Sequence, residues 1–576
     1  MKKLKVVFFL FCICNFVSAQ KSQFQWVKQL EGSRNSSGWG NAIALDDIGN
    51  IYTTGFFSGT NDFDPGLGEY NLTAEGSGDA FVLKLNASGD FVWAKKIGGE
   101  YFDNTNALAI DNDGNICITG YFEGLVDFNS GQGVANLNAS SQRFQGDIFI
   151  LKLNDLGGFI WVKQLGGLLQ KESSAITIDS KGNILTVGRF NGSLEFNTDT
   201  GQCVLNSNGG DDVFILKLSA NGQCLWVKNL GGQLDDYISS IVVDVNNDII
   251  ATGSFQELVD FDSDLIGTFT LKSNGAGDIF VLKIHEFGNF VWAKSIGGDS
   301  WDNGNGITVD TMGSIYITGG FTHKADFNPG SAIKYLSASS TTLFGNIFIL
   351  KLDVYGNYVW AKNFEGTSAG QGLSIAIDDF GNIFTTGYFN ETFDFDPGLG
   401  VYNLTVYSQI GNDDIFISKL NGLGEFVWAK KIGGMYSDNS YSIAVDAVGN
   451  TFTTGSFSGT ADFDPGEGTY FLTSNGPTDV FIHKIDTSVK HNPIIPKINY
   501  FKFYPNPTEG LLQVVFPKPE ILVRIEVFNS VGELVYLIET LNEINEIDLG
   551  SFAFGLYIVK VMSDGNLIAK QKIIKL

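Results

Sequence analysis

Aromatic rings beside Asp and Asn are the residues of this chain best suited to chemistry with a sugar. They occur in segments that follow a Gly-Gly pair: Tyr101-Phe102-Asp103-Asn104, Asp235-Asp236-Tyr237, Trp301-Asp302-Asn303 and Tyr436-Ser437-Asp438-Asn439. A longer segment near the N-terminus, residues 33–40, carries Trp39. A ring stacks on the C–H face of a pyranose, and carboxylate and amide groups take its hydroxyls. The candidate ligand set is therefore Trp39, Tyr101, Asp103, Asn104, Tyr237, Trp301, Asp302, Asn303, Tyr436, Asp438 and Asn439. The competing reading is structural: the Asp-Asn pair, present in three of the segments, caps a turn, and the aromatics pack a rim.

A second unit offers carboxylates. Asp62-Phe63-Asp64-Pro65-Gly66 recurs at 394–398 and 462–466, with looser forms at Asp127/Asn129, Glu195/Asn197, Asp260/Asp262 and Asp326/Asn328. Side chains at i and i+2 share one face of a strand, so Asp62, Asp64, Asp394, Asp396, Asp462 and Asp464 are candidate calcium ligands. Calcium takes about six or more oxygens, and each unit supplies two. The alternative is a solvated acidic turn over a buried Phe. Signals for catalysis are poorer. His285, His323, His483 and His491 lack metal-ligand spacing, and no Gly-x-Ser-x-Gly elbow occurs. Arg is confined to Arg34, Arg143, Arg189 and Arg524. Acidic pairs of the kind a glycosidase uses are spread along the chain, and the sequence gives no distances to single one out. An enzyme acting on extracellular polysaccharide stays as the alternative to a binding protein, and a structural surface-layer protein as a third reading.

The elements that must position these residues are strands. The 576 residues include 70 Gly and 48 Phe but only four Met, a composition of short strands and tight turns. The net charge is -26. Such a surface repels phosphate backbones and anionic lipid, which excludes nucleic acid as a partner. Trp26, Trp93, Trp161, Trp226, Trp292, Trp360 and Trp428 recur at intervals of 65 to 68 residues. Three further units recur in step, exemplified by residues 42–46, 50–56 and 79–85. Four short strands at a fixed interval are the sequence form of a β-propeller blade. The chain opens on a Trp strand and its last repeat lacks one, so the N-terminal strand completes the last of seven blades and leaves no open edge. The turn after each first strand carries Gly49, Gly114, Gly182, Gly313, Gly381 and Gly449, and in one repeat Asn247. Gly and Asn are the residues that accept positive φ cheaply, so this position reads as scaffold. The seven Trp read as packing between neighbouring blades.

The two ends differ from the repeats. Lys2, Lys3 and Lys5, the apolar run 6–17 and the small residues at 17–19 read as a cleaved signal peptide over 1–19. No other apolar run is long enough to cross a bilayer. The mature chain keeps Cys117, Cys203 and Cys224, an odd count, so disulfides are not its framework. Cys203 and Cys224 read as two small apolar side chains or as a pair. The propeller then covers 20–485, and residues 486–498, with Pro493 and Pro496, form a linker. Strand-like runs at 511–516, 522–528, 533–538, 556–561 and 567–574 indicate a small β-sandwich over 499–576.

Two resemblances follow. Residues 46–55, 79–85 and 93–99 resemble the bacterial SBBP β-propeller repeat, which implies an all-β propeller and no particular activity. The Tyr-Pro-Asn-Pro-x-x-Gly opening at 504–510, Val527 to Gly532, Gly555-Leu556-Tyr557 and the basic end 570–576 resemble the type A C-terminal sorting domain of type IX secretion substrates. That resemblance implies recognition of 499–576 by the secretion machinery and export across the outer membrane. The sequence therefore reads as an exported, non-catalytic propeller that binds a glycan or a surface protein.

Overall fold

The computed structural model describes residues 23–486 and 502–576, apart from 130, 132, 141–145, 199–200, 263–266, 339–344, 408–411, 516–522, 530–532, 543 and 564–565. Residues 1–19, read above as a signal peptide, and nearly all of 486–498, read as a linker, lie outside the described residues. The chain divides into two compact units, Met1–Val489 and Lys490–Leu576. Every regular element among the described residues is a strand.

In the larger unit the repeats become four-stranded antiparallel arrangements. The first contains Gly38–Leu45, Ile51–Phe57, Asp79–Leu85 and Phe91–Ile97 in that order. The first strands of the next five are Asn104–Ile110, Lys171–Ile178, Tyr237–Val243, Asp302–Val309 and Gly370–Ile377. The seventh is Asn439–Val445, Thr451–Phe457, Asp479–Asp486 and Gln23–Gly32, so the N-terminal strand supplies its outer edge. Trp26 pairs with Lys484 there and Leu30 with Val480. Each first strand packs against the first strands of two neighbours, and Gly38–Leu45 touches both Asn104–Ile110 and Asn439–Val445. The series thus returns on itself, the arrangement of a β-propeller.

Burial follows from this stacking. Second and third strands lie between neighbouring sheets and are covered on both faces: all seven residues of Asp79–Leu85 are buried. Each apolar cluster draws on two sheets, as where Tyr52, Val82 and Ile97 meet Leu108, Ile118 and Phe149. Fourth strands form the rim and alternate, with Val92 45% exposed between partly covered neighbours.

The repeated residues hold sheet to sheet. The turn residues Gly49, Gly114, Gly182, Asn247, Gly313, Gly381 and Gly449 all have φ between 64° and 88°. Trp93 Nε1–H donates to the carbonyl of Asp155, in the turn of the next sheet, and Trp161 and Trp226 donate likewise to Ala220 and Glu286, each at 3.2 Å. Each of these rings also lies against the turn glycine of that next sheet: Gly157, Gly222 and Gly288. Inside the sheets, buried Lys152, Lys217 and Lys283 reach Asp111, Asp179 and Asp244 at 2.8 Å. Cys203 and Cys224 are free thiols packed beside one apolar cluster.

The smaller unit has a sheet of Lys502–Tyr504, Leu511–Val515 and Ile544–Asp548, and a second of Leu534–Thr540, Val523–Phe528, Gly555–Ser563 and Asn566–Lys575. Leu512, Val514 and Ile547 from one and Ile525, Val559 and Ile573 from the other share one buried cluster. The Tyr-Pro-Asn-Pro segment is tied to the last strand: Asn506 Nδ2 donates to the Lys572 carbonyl, and the Ile574 N–H donates to Asn506 Oδ1.

Candidate binding site

The Asp residues of the aromatic segments are fasteners. Asp103 is fully buried and accepts the N–H groups of Gly99 at 2.8 Å and Glu123 at 3.0 Å. Asp302 accepts Gly298 and Thr322, and Asp438 accepts Gly434 and Ser458. Asp236 accepts Gly232 and Gln256 in the same way. Each joins the end of one sheet's fourth strand to the loop after the next sheet's second strand. Asp103, Asp302 and Asp438 therefore offer no surface to a ligand, and the capping alternative describes them. Burial pushes the carboxyls of Asp103, Asp236 and Asp302 up to about 7 and that of Asp438 to about 8, against the pull of the donated N–H groups. The neighbouring buried carboxylates Asp79, Asp212, Asp278 and Asp414 add to the rise. In the third sheet the same position is Lys171, whose ammonium lies 3.2 Å from buried Asp147 and also donates to the carbonyls of Gly167 and Leu169.

The aromatic residues separate by register. Tyr101 and Tyr436 stand two residues before the buried Asp. Their rings lie over Gly124 and Gly459, which have φ of 64° and 60°. They pack the rim. Trp301 and Phe102 stand one residue before the Asp, and Tyr237 one residue after it. Trp301 and Tyr237 line one cavity of about 660 Å³, together with Asn303, Asn305, Asn106, Glu172 and Arg189. The Arg189 guanidinium sits 5.0 Å over the Tyr237 ring, 2.9 Å from Glu172 and 3.0 Å from Asp211. Tyr237 is thus held against a cation that lines the same cavity. A second cavity of about 500 Å³ is bounded by Phe102, Asn104, Tyr121, Glu123, Asn106 and Glu172. Asn104 is held between Asn41 and Asn106, at 3.0 and 2.7 Å. Trp39 stacks on Phe56 at 4.9 Å and Phe56 meets Phe102 at 5.0 Å, so Trp39 lies behind the second cavity, at the end of a row of rings. Asn439 lines neither cavity.

Of the candidate set, the structure brings Tyr237, Trp301 and Asn303 together, with Asn104 in the adjoining cavity. Sequence reasoning missed Arg189, Glu172, Asn106 and Asn305. For Glu172 and Arg189 the signal was divergence within the repeat, whereas Asn106 and Asn305 share their position with Asn41. Glu172 occupies the position of Asn104 and Asn303, and Arg189 pairs across from it where other sheets have Phe56, Tyr121 or Ser254.

The acidic units cap turns. Asp62 Oδ1 accepts the N–H groups of Asp64 and Tyr70, and Asp64 Oδ1 that of Gly66. Asp394 and Asp396, and Asp462 and Asp464, repeat the pattern. Phe63, Phe395 and Phe463 are fully buried beneath them. Among the described residues no three His, Cys, Asp or Glu side chains converge as metal ligands would, and no helix is long and apolar enough to cross a membrane.

Two family models match parts of the chain. A beta-propeller repeat family matches residues 25–56 and 160–195. The secretion system C-terminal sorting domain family matches 502–575. An uncharacterized WD repeat-containing protein of Acanthamoeba polyphaga mimivirus is 24% identical over 70% of this chain and 33% of its own length. The regulatory protein FlaEY of Caulobacter vibrioides is 22% identical over 62% of this chain and 37% of its own. The chain thus spans about a third of the length of these relatives. The crystal structure of the RRP9 WD40 repeats superposes with a TM-score of 0.38 at 8% identity, covering 81% of this chain and 100% of that one. The chain carries SBBP-type β-propeller repeats followed by a type IX secretion C-terminal sorting domain, which marks it for export across the outer membrane to the cell surface or the medium.

Proposed function

We propose that this chain is a non-catalytic glycan-binding propeller, delivered outside the cell by its sorting domain. In this reading the seven stacked sheets are seven blades of one closed ring, the terminal unit is a sandwich recognised by the type IX machinery, and residues 1–19 are the signal removed on the way. The observation that carries the binding role is the cavity of about 660 Å³ with Trp301, Tyr237, Asn303, Asn305 and Asn106 on its wall. Aromatic faces beside fixed amides match the alternation of C–H faces and hydroxyls on a pyranose. Strands hold Tyr237, Asn303, Asn305 and Asn106, and Trp301 stands one residue before a strand, so little ordering entropy is lost on binding.

The test is a broad glycan array probed with the full mature chain and with Tyr237→Ala and Trp301→Ala. Selective binding that both variants lose supports a surface or secreted lectin. Silence of the folded wild type across the array overturns the sugar reading and points to a protein partner.

A further inference from the structure

Resting on that reading, we propose that the ligand is a linear, uncharged polysaccharide chain lying across several blades, and not a single terminal sugar. The two cavities, of about 660 and about 500 Å³, share Asn106 and Glu172 as wall residues, so they adjoin, and in this proposal they act as one trough. Each volume alone falls within the range that holds a drug-sized ligand, about 300–1,000 Å³. A lone sugar ring leaves most of such a trough empty.

The trough runs over the first strands of four successive sheets, Asn104–Ile110, Lys171–Ile178, Tyr237–Val243 and Asp302–Val309. Its ends are aromatic, with Trp301 and Tyr237 at one and Phe102 and Tyr121 at the other. Its middle is polar, with Asn106 and Glu172. Two stacking platforms separated by hydrogen-bonding groups suit a chain that crosses both.

Charge selects within that class. The cations on the wall are both committed: Arg189 to Glu172 and Asp211, and Lys171 to Asp147 at zero exposure. Glu123 and Glu172 face the same trough, and the whole chain carries -26. A uronate or sulfate would meet carboxylates without an uncommitted cation to receive it.

The experiment is calorimetric titration of the full mature chain with β-1,4-linked glucose, mannose and xylose oligomers and α-1,4-linked glucose oligomers, each of two to eight units. Galacturonic acid oligomers of the same lengths are the charged counterpart. Affinity for a neutral series is expected to rise at least tenfold from the shortest member to a plateau. Phe102→Ala is expected to remove most of that gain, with its thermal midpoint checked for folding. A neutral series that binds with no dependence on length, or galacturonic acid oligomers that bind more tightly, overturns the trough and leaves the glycan site standing. Failure of every oligomer and of the array overturns both.

Discussion

The buried carboxyls make a prediction that runs against ordinary acid denaturation: between pH 5 and pH 8 the propeller loses stability as pH rises. Asp103, Asp236 and Asp302 are raised from the ordinary 3.8 to about 7, and Asp438 to about 8. The unfolded chain has given up these protons by pH 5, and the folded chain keeps them. Their contribution is therefore fully present below the unfolded value and is lost as pH climbs from about 4 through 7 and 8. A full shift of three units corresponds to about 4 kcal/mol per carboxyl as an upper value. Asp212, raised to about 6, works in the same direction. His483 works against them: burial lowers it from 6.5 to about 4, so its contribution is present above 6.5 and lost as pH falls. Five carboxyls against one imidazole leave the folded state holding nearly four extra protons near pH 5.5, a slope of about 5 kcal/mol per pH unit as an upper value. The perturbation is Asp278→Asn. Asp278 Oδ1 is buried without a hydrogen-bond partner, and both Asp278 and Asp302 flank Gly297. The amide replaces an unpartnered acceptor with a donor and removes one of two neighbouring buried charges. The gain is expected at about 1–2 kcal/mol at pH 8 and near zero at pH 5. Thermal midpoints by circular dichroism at the two pH values, for wild type and D278N, decide it. A wild-type midpoint that rises from pH 5 to pH 8, or a D278N variant less stable than wild type at pH 8, refutes the reasoning.

Further outcomes are expected elsewhere in the molecule. Lys171→Met strands Asp147 in the interior and should cost about 3–5 kcal/mol. Lys171→Asp should recreate the pair found in four of the other sheets and be tolerated better at pH 5 than at pH 8, both read by denaturant titration. Gly182→Val forces a β-branched residue to a φ of 78° and should cost at least about 1–2 kcal/mol, whereas Asn247→Gly should change the midpoint by a few tenths of that. Trp161→Phe removes the bond to the Ala220 carbonyl and should cost about 1–2 kcal/mol. Deletion of 502–575 should leave the propeller folded and retained inside the outer membrane, measured by cell fractionation.

The scaffold was legible because it repeats. Strand-like units recurring in step, a turn position limited to Gly or Asn, and a Trp every 65 to 68 residues each report a backbone or packing demand met many times over. The N-terminal strand's pairing with Asp479–Asp486 followed from counting Trp strands. In the sorting domain Ile544–Asp548 was missed, since Ile-Asn-Glu-Ile-Asp carries too few apolar residues to stand out, although Ile547 is fully buried. The site was legible only in part. Aromatic-Asp-Asn segments look alike in sequence, yet a shift of one residue sends Tyr101 onto Gly124 and Trp301 into the cavity. The Asp beside them is fully buried because two N–H groups converge on it across sheets, and composition holds no trace of that convergence. Arg189 and Glu172 were hidden because they are exceptions to the repeat and leave no recurring pattern.

The most direct measurement is a crystal structure of the mature chain soaked with the strongest array hit. The account predicts sugar density stacked on Trp301 and Tyr237, within hydrogen-bonding reach of Asn303 and Asn106. Density seated elsewhere, such as in the outer cavity beside Tyr402 and Phe471, with the Trp301 cavity empty, would contradict it.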